Sequence, residues 1–181
     1  MRSDGGTGWT LAWKAGCWAR LGDGDHALLC LTNQFTQQTC PNGFSICFRP
    51  PQVDGSFGAT AAVAEMLLQS HRPAVPAGDA PAADADLHGE IHLLPALPKA
   101  WSAGSVTGLR ARGGFEVDIA WAAGRITSAT VRSDLGGECR IRAQVPLKVA
   151  RNGEAVPADR PDDARIVFQT DAGGEYVLTA E

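Results

Sequence analysis

Residues 115–132 read Phe115-Glu116-Val117-Asp118-Ile119-Ala120-Trp121-Ala122-Ala123-Gly124-Arg125-Ile126-Thr127-Ser128-Ala129-Thr130-Val131-Arg132. Large apolar residues fall on every second position from Phe115 to Trp121, the signature of a strand with one buried face. Ala123-Gly124 is a turn, and alternation resumes at Arg125 and runs to Arg132. Outward from this hairpin the same pattern recurs in short pieces. Glu90–Leu94 precedes Pro95, and Ser105–Arg112 precedes Gly113-Gly114. Cys139–Ala143, Leu147–Ala150, Arg165–Phe168 and Tyr176–Thr179 complete the set. Short alternating strands separated by Gly turns predict an antiparallel sandwich from residue 90 to 181.

Upstream, the period changes from two to 3.6. Ala59, Ala62, Val63, Met66, Leu67 and Ser70 recur at helical spacing and predict a helix with one apolar stripe. Trp9 to Leu21 is apolar on nearly all sides, with Trp9, Trp13 and Cys17 on one face and Leu11, Ala15 and Trp18 on another. Gly22-Asp23-Gly24 ends that helix, and Asp23 or Asp25 can cap the next, His26 to Gln34. Three helices cannot cover such a first member, so Trp9, Trp13 or Trp18 is expected to be partly exposed. The fold class is therefore α+β, divided as a helical part at 1–71, a flexible Pro/Ala-rich insertion at 72–89 and a β domain at 90–181. The 181 residues carry a formal net charge of -4 with scattered Lys and Arg, which argues against a nucleic-acid partner. No apolar run approaches the roughly 20 residues of a membrane span. Five cysteines at irregular spacing match neither a zinc pattern nor a disulfide framework, and no cofactor is implied.

Between the second and third helices lies Pro50-Pro51-Gln52-Val53-Asp54-Gly55-Ser56-Phe57-Gly58-Ala59-Thr60. The run places one carboxylate, Asp54, on a Pro/Gly turn that feeds a helix. A carboxylate at that point is fixed by the turn and sits near orphan N–H groups, which suits a catalytic base or a sugar-binding acid. The same residue also suits a plain N-cap or turn.

Three blocks carry a resemblance to a known family. Thr7-Gly8-Trp9-Thr10-Leu11-Ala12-Trp13-Lys14 with Trp18 to Ala27 is the first. Gln52-Val53-Asp54-Gly55-Ser56-Phe57-Gly58-Ala59-Thr60-Ala61, through Glu65 to His71, is the second. Glu90-Ile91-His92-Leu93-Leu94-Pro95-Ala96-Leu97-Pro98-Lys99-Ala100-Trp101, with Gly104–Val106 and Leu109–Phe115, is the third. In this order they resemble the family 95 glycoside hydrolases, the inverting α-L-fucosidases, over roughly residues 4 to 143.

The resemblance implies the last helices of an (α/α)6 barrel followed by a C-terminal β domain. It implies a fucosylated or related glycan as substrate and gives Asp54 the part of general base. The general acid and assisting asparagines of the family lie in an earlier part of the barrel, which becomes an implied partner of this chain. Inverting hydrolysis needs two carboxyl groups roughly 6.5–9.5 Å apart. Glu65 lies eleven positions beyond Asp54, roughly 16 Å along a helix, too far to be the second. The chain is thus expected to be inactive alone, and Glu65 to be a solvated or capping residue.

Two departures flank Asp54. The family pattern resembling Pro-Asn-Leu-Phe-Asp-x-x-Pro-Pro-Phe-Gln is here Pro41-Asn42-Gly43-Phe44-Ser45-Ile46-Cys47-Phe48-Arg49-Pro50-Pro51-Gln52, as a reading-frame slip over residues 43–49 would produce. Ser56 stands where Asn is usual.

Other candidates are weaker. His26, His71, His88 and His92 are too dispersed for a metal set. Trp101 and Trp121 suit sugar stacking or, more simply, core. Asp23-Gly24-Asp25 is read as a helix–helix turn, since the later ligands of a calcium loop are missing. Two further readings are a carbohydrate-binding or assembly β module with a helical collar, and a degenerate gene fragment without function.

Overall fold

The computed structural model describes residues 5–47, 50–72 and 89–181. The expected insertion lies, from 73 to 88, outside the described residues, as do His88, Phe48 and Arg49. The chain forms two compact units, residues 1–67 with 95–101 and residues 68–94 with 102–181.

The first unit holds helices α1 (Gly8–Arg20), α2 (Gly24–Gln37) and α3 (Val53–Leu67). The end of α1 is a Schellman motif. Gly22 takes φ +80°, Asp23 N–H donates to Trp18 O at 2.9 Å, and Gly22 N–H donates to Ala19 O at 3.0 Å. Asp23 then caps α2, its Oδ1 accepting from His26 N–H at 3.0 Å. So tight a turn makes α2 antiparallel to α1. The core is Leu11, Ala15 and Ala19 of α1, Ala27, Cys30 and Leu31 of α2, and Ala59, Ala62 and Met66 of α3, with Ala96 from the returning segment.

Helices α1 and α3 run parallel, because successive contacts advance together on both. A Cβ on Gly55 would lie 3.1 Å from the Gly8 carbonyl carbon, and one on Gly58 would lie 2.9 Å from Ala12 Cβ. Farther on, Arg20 reaches Glu65. Small residues at these crossings let the two backbones approach closely.

Helix α3 differs from the expectation at both ends. It begins at Val53 rather than after Gly58, so Asp54 sits inside its first turn. It stops at Leu67, and the chain continues as strand β1 (Leu68–Arg72) where the stripe suggested helix to Ser70. Leu67, Leu68 and Gln69 are buried in succession, a pattern that does not by itself separate helix from strand.

The second unit is a pair of sheets. After β1 come β2 (Glu90–Leu93), β3 (Gly104–Ala111), β4 (Phe115–Ala122), β5 (Arg125–Ser133) and β6 (Gly137–Arg142). β7 (Leu147–Arg151), β8 (Glu154–Ala155), β9 (Asp159–Asp162), β10 (Arg165–Thr170) and β11 (Gly174–Ala180) follow. One sheet runs β1-β2-β6-β10-β9 and the other β3-β4-β5-β11-β7-β8. The β4–β5 hairpin turns on Ala123 and Gly124, both at positive φ, 51° and 71°, as a two-residue type I′ turn needs.

The fold is α+β as expected, with one departure from an all-antiparallel sandwich: β2 pairs with β6 in parallel. β1, β8 and β9 are additional strands. Every residue of β8 and β9 is exposed, so neither carries an alternating signal.

Phe115, Val117, Ile119 and Trp121 of β4 point inward, alternating with outward positions. Phe168 of one sheet meets Tyr176 of the other at 5.4 Å between ring centres, and Thr170 Oγ1 meets Ser133 Oγ at 3.0 Å. Cys139 lies in this core at 0% exposure, and burial pushes its thiol pKa well up. Trp121 is also core: a Cβ on Gly104 would lie 2.5 Å from its ring.

Candidate functional site

Asp54 is exposed on the first turn of α3 and faces a cleft of about 740 Å³ between α1 and α3. Its Oδ1 accepts a hydrogen bond from the Gly55 N–H at 2.9 Å. No ion pair to Asp54 is present among the described residues.

The wall facing Asp54 comes from α1. Trp9 and Trp13 are one turn apart, and their indoles stack at 5.9 Å between centres and 26° between planes. Both remain exposed, so the prediction of uncovered tryptophans holds for these two. Trp18, by contrast, packs against the helical core and stacks on His26 at 4.7 Å. The floor is Ala12, Gly16, Gly58 and Ala61, with almost no side chain above the backbone. Residues of α2 do not line the cleft, so α2 packs on the far faces of α1 and α3.

Glu65 closes the other end. Its two oxygens accept from Arg20 Nε and Nη2, each at 2.5 Å. This corrects the reading of Glu65 as solvated or capping, since it is committed to a forked ion pair that raises the Arg20 pKa. Sequence reasoning missed this pair because its members are far apart in the chain and meet only through the parallel packing of α1 and α3.

The N-terminal ends of α1 and α3 are tied by the segment that departs from the family pattern. Ser45 is 1% exposed, and its hydroxyl lies where a Cβ on either Gly8 or Gly55 would sit. Ser45 N–H donates to Ser56 Oγ at 3.1 Å, so two departures, Ser45 and Ser56, bond to each other. Gly8 N–H donates to Ile46 O at 3.2 Å, and Gln52 N–H to Ser45 O at 2.7 Å. Gln34 Nε2, 1% exposed, donates to Gly55 O at 2.7 Å. The turn bearing Asp54 is thus held from α2, from residues 45–46 and from α1.

The remaining candidates resolve as structural. Trp101 packs against the helical core. Asp23-Gly24-Asp25 is the α1–α2 turn, with Asp25 accepting from Lys99 N–H at 2.9 Å. Burial, then Arg142, holds His92 down at about 4, and His71 lies on β1. Among the described residues no three His, Cys, Asp or Glu side chains converge on a metal-sized site.

An apolar cleft with one free carboxylate and a stacked aromatic wall has the character of a small-molecule site. The comparisons define the class. Residues 1–67 match the glycosyl hydrolase family 95 catalytic domain, and residues 87–178 match the family 95 C-terminal domain. The chain belongs to glycoside hydrolase family 95.

Its relatives include "Alpha-L-fucosidase 2" of Arabidopsis thaliana, 39% identical over 69% of this chain and 14% of the relative. "Probable alpha-fucosidase A" of Aspergillus niger is 33% identical over 84% of this chain and 19% of the relative. The protein of the same name from Aspergillus oryzae is 35% identical over 63% and 16% respectively. The chain therefore spans less than a fifth of the length of each of these relatives.

Proposed function

We propose that this chain is part of an inverting α-L-fucosidase in which Asp54 is the general base. The observation that carries the reading is the placement of Asp54 on the first turn of α3, exposed, free of an ion pair among the described residues, and facing an open cleft. A carboxylate so placed accepts a proton from a water poised between it and the anomeric carbon. A second carboxyl group protonates the leaving oxygen on the opposite face of the sugar. Within the cleft the other carboxylate is Glu65, which is bound to Arg20 and roughly 16 Å along α3 from Asp54. It is not the acid. The acid comes from a part of the catalytic domain outside this chain, and the chain alone does not hydrolyse fucosides.

The parallel α1 and α3 with α2 behind them are two neighbouring inner helices and one outer helix of an (α/α)6 barrel. The barrel joins the β domain where α3 ends at Leu67 and β1 begins at Leu68, earlier than the expected boundary at residues 72–89, and residues 95–101 return to the helical unit. The substrate is a glycan with a terminal fucosyl residue, and the partner is the remaining part of the barrel.

The test uses an aryl α-L-fucoside. The purified 181-residue chain is expected to release no aryl alcohol. The same chain joined to the upstream catalytic segment of a family relative is expected to release it, and Asp54→Asn to reduce that rate by orders of magnitude. Hydrolysis by the chain alone, or full activity of the Asp54→Asn fusion, overturns the assignment.

A further inference from the structure

We infer, on the reading of Asp54 as general base, that Gln34 of α2 is a positioning residue for it: the buried side-chain amide of Gln34 fixes Gly55, and Gly55 aims the Asp54 carboxylate.

The buried positions of α2 include Ala27, Cys30, Leu31 and Gln34, the i, i+3, i+4, i+7 spacing of a core face. Gln34 is 1% exposed at the last of these, where a leucine or methionine would pack without polar atoms.

The amide has one orientation. It lies 2.7 Å from Gly55 O, and a carbonyl only accepts, so Nε2 faces it and donates. Oε1 then has no hydrogen-bond partner among the described residues, and an unmet buried acceptor destabilises a fold. Gly55 O does not need the bond either. It lies inside α3, where a carbonyl accepts from the amide four residues on. Stability alone therefore does not call for a glutamine at this position.

Direction does. Gly55 is held on both sides, its N–H donating to Asp54 Oδ1 at 2.9 Å and its O accepting from Gln34. Sideways movement is blocked, since a Cβ on Gly55 would lie 2.3 Å from Ser45 Oγ. The Ser45 hydroxyl bonds to nothing among the described residues, so it acts as a spacer while Gln34 supplies the directed contact. A general base must keep its oxygen within hydrogen-bond reach of the proton it takes, and misplacement by about 1 Å costs about a hundredfold in rate. Gln34 bonds to Gly55 and acts on the base through it.

The test pairs two variants. Gln34→Met keeps the length and packs without polar groups. Gln34→Glu keeps the shape and makes donation depend on its own proton. In the 181-residue chain, Gln34→Met is expected to leave the urea midpoint unchanged or raised, because it removes the unmet acceptor. The Gly55 amide signal, followed by NMR, is expected to shift in the same variant. In the chain joined to the upstream catalytic segment of a family relative, Gln34→Met is expected to lower kcat on the aryl α-L-fucoside about tenfold or more with KM unchanged. Gln34→Glu is expected to recover relative to wild type as pH falls, when the buried acid takes up a proton and donates it toward Gly55 O.

A loss of kcat in Gln34→Met matched by a lowered urea midpoint overturns the positioning role, because it marks a purely structural one. So does a Gly55 amide signal that stays fixed, or a ratio of Gln34→Glu to wild type that does not change with pH. Wild-type kcat in Gln34→Met, with Asp54→Asn inactive, overturns the positioning role and leaves the base assignment standing. Full activity of Asp54→Asn overturns both.

Discussion

Gly8 of α1 and Gly55 of α3 share a single neighbour, the buried side chain of Ser45, which occupies the space a Cβ would need on either one. The two helix starts therefore meet through backbone and one small hydroxyl residue. Gly8→Ala and Gly55→Ala should each cost about 1–3 kcal/mol through overpacking. Gly16→Ala, where space is open, should instead stabilise by about 0.5–1 kcal/mol. Urea unfolding of the three variants checks the contrast, and equal effects at all three would show that the helices do not cross as described.

The Arg20–Glu65 fork clips the far ends of α1 and α3. Both side chains are partly exposed, 44% and 28%, so solvent screens the pair. Glu65→Gln should cost about 1 kcal/mol or less, and raising the salt should shrink the difference from wild type. A double-mutant cycle with Arg20→Gln isolates the coupling. The proposed function places the acid outside this chain, so the same substitution should leave hydrolysis by the fused enzyme within a few-fold of wild type, measured on the aryl fucoside.

His92 gives the β unit a dependence on pH. Burial, reinforced by Arg142, holds its pKa at about 4 against an ordinary 6.5. The unfolded chain binds the proton more readily, so stability is complete above about 6.5 and declines as pH falls toward 4. His92→Gln should reduce the loss in urea midpoint between pH 7 and pH 5. The His92 ring proton followed by NMR should titrate far below the ordinary 6.5, and a midpoint near that value would refute the assignment.

Arg132 binds Asp118 at 2.8 Å, Glu116 at 3.2 Å and Glu175 at 3.0 Å across three neighbouring strands. The guanidinium hydrogen bond keeps Asp118 below its ordinary 3.8. A depressed carboxylate contributes stability above its unfolded value and loses it as pH falls through the folded one. Arg132→Met should bring Asp118 back toward 3.8, read from its carboxyl carbon shift, and flatten the acid limb of the stability curve.

The β unit was more legible in the sequence than the helical one, and the reason is physical. Strands β4 and β5 bury one face only, so Phe115, Val117, Ile119 and Trp121 announce it by alternation. Ala123-Gly124 supplies the turn in the right place. β9 has no such signal, because Asp159–Asp162 is exposed throughout and is held by pairing with β10.

The start of α3 was misread for the opposite reason. Gly55 and Gly58 look like turn residues, but close packing against Gly8 and Ala12 recruits them into a helix. Asp54 stands out in the sequence through its motif, whereas its neighbours in space do not. Trp9 and Trp13 lie over forty positions upstream, and no local pattern reports that α1 and α3 run side by side.

The buried thiols give each unit its own clock. Cys30 in the helical core and Cys139 between the sheets are both at 0% exposure, whereas Cys17, Cys40 and Cys47 are partly accessible. A thiol-specific reagent should modify the three accessible sites at once and reach the other two only when their surroundings open. The interval between those two slow modifications, resolved by mass spectrometry, measures whether the helices and the sheets come apart together or separately.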